Sequence, residues 1–209
     1  MAFDIDIIKK ELMELEVRQF YTKYIVKTEN WYFSTFMNFD DGAMLEAVDR
    51  FKEIVSEKLS INFHSAHIVG SAKLGYSLSP RKPFSPFKET GTNSSKPSDI
   101  DIAIISDKLF NKFWQHLRQA FKPQQKKYYT RLSYTIFRGY IDEDDISSIA
   151  VVYNEWNNLF SPITRSLQDE WSIVHKITYR LYRSWEDLEQ YQIHGLNQLK
   201  RNGDKLHDN

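Results

Sequence analysis

The chain contains no cysteine. Disulfides and thiolate metal sites are therefore excluded, and the composition fits a reducing, cytoplasmic setting. It has no excess of either charge, with 28 Lys and Arg against 28 Asp and Glu. Any basic face able to meet nucleic acid must then be local. It lacks a run of about 18 apolar residues, so no membrane-spanning helix is expected. The opening MAFDIDIIKKELMEL is acidic early and amphipathic, unlike a secretory leader. No internal repeat is visible. Proline is scarce, and four of the 6 prolines (Pro80, Pro83, Pro86 and Pro97) fall in one short stretch. What the chain has in quantity is aromatic side chains, 15% over 209 residues. That is enough for one ample domain, or for one domain with a helical extension.

Hydrophobic spacing divides the chain. Ile5, Ile8, Leu12, Leu15 and Phe20 recur at helical intervals across 4–27. Asp4 and Asp6 open that segment, where acids favour the helix dipole. Asn30–Phe39 is dense in rings, read either as core packing or as a base-stacking platform. Ala43–Leu59 repeats the helical pattern and leads into a short apolar strand, Ala66–Val69, that ends in Gly70-Ser71. A short helix is expected over Ala72–Tyr76. Ser79–Ser98 is rich in Ser, Pro and Lys, and its prolines forbid a regular helix. It is expected to be a mobile loop. Its Arg81, Lys82, Lys88 and Lys96 could touch phosphate or simply be solvated.

Asp99–Ile105 reads DIDIAII: carboxylate alternates with aliphatic, then the run turns fully aliphatic. Residues two apart share a strand face, so Asp99 and Asp101 are expected to project together at the start of a buried strand. Two adjacent carboxylates repel unless a cation lies between them. Hard oxygen ligands of this kind suit Mg²⁺ (or Mn²⁺) together with substrate phosphates. The upstream Gly70-Ser71, opening a helix, offers N–H groups and a hydroxyl to phosphate. Lys73, in that first turn, could reach a triphosphate or sit as an exposed helix lysine.

Gly70-Ser71 followed by Ser98-Asp99-Ile100-Asp101-Ile102 resembles the nucleotidyltransferase superfamily of DNA polymerase β, over about residues 66–121. The hallmark is Gly-Ser, then hydrophobic-Asp-hydrophobic-Asp/Glu-hydrophobic. The resemblance implies an α/β (α+β) fold, a small mixed sheet with N-terminal and C-terminal helices. It implies an NTP substrate, ATP first among them, with metal on Asp99 and Asp101. Nucleotide would lie on Gly70, Ser71, Lys73 and Ser98. Many such proteins are small and bacterial, and some act in toxin–antitoxin or antiphage systems. The chain departs from the pattern twice. The insert separates two halves usually about ten residues apart, and no third carboxylate is evident.

Downstream, Asp107 is expected to cap a helix, Asp107–Phe121, with Leu109, Phe110, Phe113, Trp114, Leu117 and Phe121 inward; His116 there is an exposed helix residue or a ligand. Lys126–Ile141 fits helix or strand. Asp142-Glu143-Asp144-Asp145 is a solvated turn or a metal site. Trp156–Trp171 is expected to be interrupted at Pro162. Ile173–Tyr182 alternates as a strand, and is expected to pair beside the Asp99–Ile105 strand. Where the resembled family often carries its third acid on that neighbour, Arg180, or Arg183 with Trp185, stands instead, able to hold phosphate or the Asp pair. Glu186 and Glu189 are alternatives for the missing acid, and Ser184-x-x-Asp187 fits a capping box. The expected organisation is a helical region at 1–60, a core at 61–201 with the flexible insert 79–98, and a disordered tail at 202–209. The expected activity is Mg²⁺-dependent nucleotidyl transfer to an unidentified hydroxyl of a protein, an RNA end or a nucleotide. The competing expectation is a degenerate module that binds nucleotide or a partner protein.

Overall fold

The structure is a computed structural model and describes residues 4–89 and 96–207. It is a mixed α/β fold with one four-stranded mixed sheet. The strands are β1 (Ala66–Val69), β2 (Ile100–Ile105), β3 (Tyr140–Asp142) and β4 (Ile177–Tyr182), in the order β1-β2-β4-β3. β4 is thus hydrogen-bonded beside β2, as the alternation of 173–182 suggested. It is shorter than expected, because Ser172, at φ +52°, caps the preceding helix and the extended run begins only at Ile177. β3 and β4 pair antiparallel with Asp142 opposite Arg180.

The chain forms two compact units, each from separated segments. The first comprises 1–50, 68–101 and 190–209; the second comprises 51–67 and 102–189. Residues 1–50 thus share a unit with 68–101.

In the first unit, α1 (Ile5–Glu14) starts at Asp4, whose carboxylate accepts from the N–H groups of Asp6 and Ile7 at 2.8 and 3.3 Å. The helix expected across 4–27 is divided. It breaks at Leu15 and Glu16, and restarts as α2 (Val17–Tyr21) with a π-helical turn over Thr22–Val26. A tertiary contact sits at the break. The Lys200 ammonium, on α9 (Trp185–His207), donates to the Leu15 carbonyl at 2.7 Å. A carbonyl the helix would have used is satisfied from outside it. Ile8, Leu12, Phe20, Tyr24, Leu74, Leu196 and Leu199 pack as one core. α9 runs to His207, well into the stretch expected to be disordered.

The rings of 30–39 are core, not platform. Tyr32 and Phe36 stack with centroids 4.9 Å apart, and Phe87 from the insert meets Trp31, Tyr32 and Phe36 at 5.4–5.8 Å. That contact also corrects the reading of the insert. Tyr76 bridges Pro86, the Ser77 N–H donates to the Ser85 carbonyl at 2.8 Å, and the Phe87 N–H donates to the Gly75 carbonyl at 2.7 Å. Residues 79–88 are therefore held by backbone bonds and by a buried phenyl ring. Residues 90–95 of the expected mobile loop lie outside the described residues.

In the second unit, α5 (Asp107–Gln119) is capped by the Ser106 hydroxyl rather than by Asp107. It buries Leu109, Phe110, Phe113 and Leu117, but Trp114 is only half-buried, and Phe121, expected inward, lies beyond the helix end and is exposed. The ambiguous 126–141 resolves into α6 (Lys126–Phe137) and then β3. α8 (Ala150–Trp171) passes through Pro162 without interruption. Proline removes the bond to the carbonyl four residues earlier. That carbonyl belongs to Asn158, an exposed residue that water can serve. Phe113, Trp156, Phe160 and Tyr179 form a continuous ring chain, with successive centroids at 5.1, 4.4 and 4.4 Å.

Candidate active site

The Gly-Ser turn and the second aspartate meet. Gly70 leaves β1 at φ +67°, ψ −148°, backbone that residues with a side chain rarely adopt. A Cβ built there would lie 2.7 Å from Asp101 Oδ2 and 3.5 Å from its Cγ. The absent side chain lets the Asp101 carboxylate rest directly against the turn. Asp101 is the one exposed position of β2; Ile100 and Ile102–Ile105 are all buried. Alternation at the strand's entry thus aims one carboxylate outward while its neighbours anchor the strand.

Asp99 is half-buried, just before β2 begins, with the Lys96 ammonium 3.9 Å from its Oδ2. Lys96 is largely exposed, so this pair is weak in water. Ser71, half-buried, opens α4 (Ser71–Leu74), one turn long and one residue shorter than the expected 72–76. The first N–H groups of any helical turn lack intrahelical partners. Gly70, Ser71, Asp99 and Asp101 all belong to the first unit.

Two other nucleotide candidates have different occupations. Lys73 is not an exposed helix lysine. It is buried, and its ammonium donates to the carbonyls of Lys27 and Glu29, the latter at 2.6 Å. A buried ammonium needs acceptors, and the backbone after the π-helical turn supplies them. Ser98 closes the insert: its N–H donates to the Lys88 carbonyl at 3.0 Å, and its Oγ accepts from the Lys88 N–H at 3.0 Å.

Arg180 belongs to the second unit and is bound to an acid there. Its Nη2 is 3.3 Å from Asp142 Oδ2, and its guanidinium lies 5.3 Å from the Tyr140 ring centroid. The acidic run is not a solvated turn either. Asp142 caps α7 (Glu143–Ile146) by accepting from the Asp145 N–H at 3.1 Å. Asp145 is buried, and Arg131 Nε lies 2.8 Å from its Oδ1. Burial, reinforced by the charge of Asp142, pushes the Asp145 carboxyl above its ordinary value. Sequence reading missed this network because acids in series look solvated; the apolar Ile146 and Ile149 that follow were the available signal.

His116 pairs with Glu155, which also takes Lys112 at 2.8 Å. Ser184 and Asp187 form the expected cap: the Asp187 N–H donates to Ser184 Oγ at 3.2 Å. Among the described residues no three or more His, Asp or Glu side chains gather as a metal-holding group, and no helix is long and apolar enough to cross a membrane. Comparison with protein-family models, curated proteins and solved structures finds no match.

Proposed function

We propose that this chain is an Mg²⁺- or Mn²⁺-dependent nucleotidyltransferase of the polymerase β-like type. It would move a nucleotidyl group from an NTP, ATP first among them, to an acceptor hydroxyl on a protein, an RNA end or a nucleotide. The observation that carries this reading is the contact of Gly70 with Asp101, which brings a phosphate-compatible turn and an outward carboxylate to one place. Asp99 and Asp101 would hold the divalent ion. With no Cβ at residue 70 the Asp101 carboxylate lies against the turn, so an ion held by it would adjoin a phosphate taken by the turn. The bound ion would neutralise phosphate charge. The Ser71 hydroxyl and the N–H groups after Gly70 would take phosphate oxygens and orient the triphosphate for in-line attack. The acceptor oxygen then bonds to the α-phosphorus as pyrophosphate leaves. A cytoplasmic role in a toxin–antitoxin or antiphage system is the biological setting this reading suggests.

The test is transfer of label from α-³²P NTPs, with Mg²⁺ or Mn²⁺, to protein, RNA and nucleotide acceptors. Asp99→Asn and Asp101→Asn should each lower transfer by at least about a hundredfold. Undiminished transfer in Asp101→Asn would overturn the assignment.

One observation favours a second reading, a module that binds nucleotide or a partner protein without transfer. The two aspartates have no third ligating acid grouped with them among the described residues, and β4, where the resembled family often carries one, holds Arg180, bonded to Asp142. Metal-dependent nucleotide binding by the wild type, without transfer to any acceptor, would select this reading.

A further inference from the structure

The chain is neutral overall, yet its charge is not evenly spread. From Lys108 to Ile141 there is no Asp or Glu, while Lys108, Lys112, Arg118, Lys122, Lys126, Lys127, Arg131 and Arg138 are all basic. The stretch lies entirely in the second unit. Carboxylates reach it from other elements: Glu155 pairs with Lys112 and His116, Asp145 pairs with Arg131, and Asp187 lies against Gly139. Lys122, Lys126 and Lys127 are exposed.

The same stretch carries the rings that the core does not take. Phe121, Tyr128, Tyr134 and Phe137 are 49%, 47%, 59% and 86% exposed. Leu132 and Thr135 are the buried residues of α6, so the rings are left out by the face the helix presents, not by fraying. Helical spacing aligns Lys127, Arg131, Tyr134 and Arg138 along one stripe. Within it the Arg138 guanidinium lies 5.5 Å from the Tyr134 ring centroid, and its Nη1 donates to the Tyr134 hydroxyl at 3.3 Å. The ring is held in place while still more than half exposed.

Cations alone would suit any polyanion, and exposed rings alone would suit many proteins. Their interleaving on one acid-free helix selects a polyanion that also offers flat faces. We infer that α6 and the segment leading into it form a binding surface for single-stranded nucleic acid, with Lys122, Lys126 and Lys127 on the phosphates and Tyr134 and Phe137 stacking on bases. A duplex hides its base faces and would use only the cations. This inference does not rest on the Gly70–Asp101 reading, and its test needs neither nucleotide nor metal.

The experiment is fluorescence anisotropy of the full chain with labelled oligo(U) and oligo(dT) of about 20 nucleotides, and a duplex of equal length, across a salt series. The single strands should bind more tightly than the duplex. Lys126→Ser with Lys127→Ser should lower the slope of log K against log salt by about 1.4, two phosphates' worth. Tyr134→Ala and Phe137→Ala should each weaken single-strand binding about five- to hundredfold and leave the salt slope unchanged. Circular dichroism checks that these exposed substitutions leave the fold intact. The inference is overturned if no single strand binds at low salt, or if the duplex binds equally and the ring variants are silent. It is also overturned if the ring variants alter only self-association in sedimentation.

Discussion

Asp187 lies so close to Gly139 that a Cβ at residue 139 would fall 2.1 Å from the Asp187 Cγ. Gly139 ends α6 at φ +76° and its carbonyl accepts from the Arg183 N–H at 2.9 Å. Asp187 in turn accepts from Arg183 at 2.9 and 3.0 Å and from the Ser184 hydroxyl at 3.0 Å. Gly139→Ala must therefore adopt a strained backbone and displace a carboxylate already committed to three donors. Backbone strain alone should lower stability by about 1–3 kcal/mol, with loss of the Arg183 contacts added. Urea unfolding measures it; an unchanged midpoint would refute the geometry.

At Gly70 the two terms can be separated. Gly70→Ala carries the penalty of a positive φ and a clash with Asp101, whereas Asp101→Ala removes the carboxylate that the new Cβ would strike. The double variant should be less destabilised than the sum of the singles, by about 0.5–3 kcal/mol of coupling. Strict additivity in equilibrium unfolding would mean that the two residues do not touch.

For Lys73 the expectation concerns stability rather than nucleotide. Lys73→Met leaves the Lys27 and Glu29 carbonyls without their ammonium donor. Both carbonyls belong to exposed residues that water can reach. A loss of about 1–2 kcal/mol is expected, while NTP affinity should change by less than about tenfold, under 1.4 kcal/mol. Normal stability with a large loss of nucleotide affinity would return Lys73 to the phosphate site.

Asp145 sets a pH dependence. Its carboxyl is raised in the folded protein, first by burial and then by Asp142. A raised folded value favours the protonated form, so this contribution is fully present below the ordinary carboxylate range. It is lost as pH rises from that range through the raised folded value. The stability difference between wild type and Asp145→Asn should change across that window in this direction and be flat above it. A difference that is flat throughout, in unfolding free energies measured from acid to neutral pH, would contradict the burial of this charge.

Much of the architecture is legible in the chain because it rests on local rules. The DIDIAII alternation gives a strand, though it begins at Ile100 and carries Asp101 outward without Asp99, which precedes it; the apolar run into Gly70 gives another, and 173–182 gives the strand beside it. Helix and strand in 126–141 could not be separated, since β-branched and aromatic residues serve both; Gly139 is the turn that divides them. The helix expected over 4–27 is interrupted at Leu15, whose carbonyl takes the ammonium of Lys200 from 185 residues away in sequence.

By itself the sequence determined the spacing of apolar and charged positions, the missing thiols, the Gly-Ser and Asp-x-Asp pairs and the acid-free run from 108 to 141. These are properties of residue identity and of the backbone period. Only the tertiary structure decided that Gly70 touches Asp101, that Lys73 is bound to carbonyls of 27 and 29, and that Phe87 makes part of the insert core. Each is a contact between segments remote in sequence. Such contacts depend on which acceptor or cavity happens to lie within reach once the elements pack, and no local pattern encodes that.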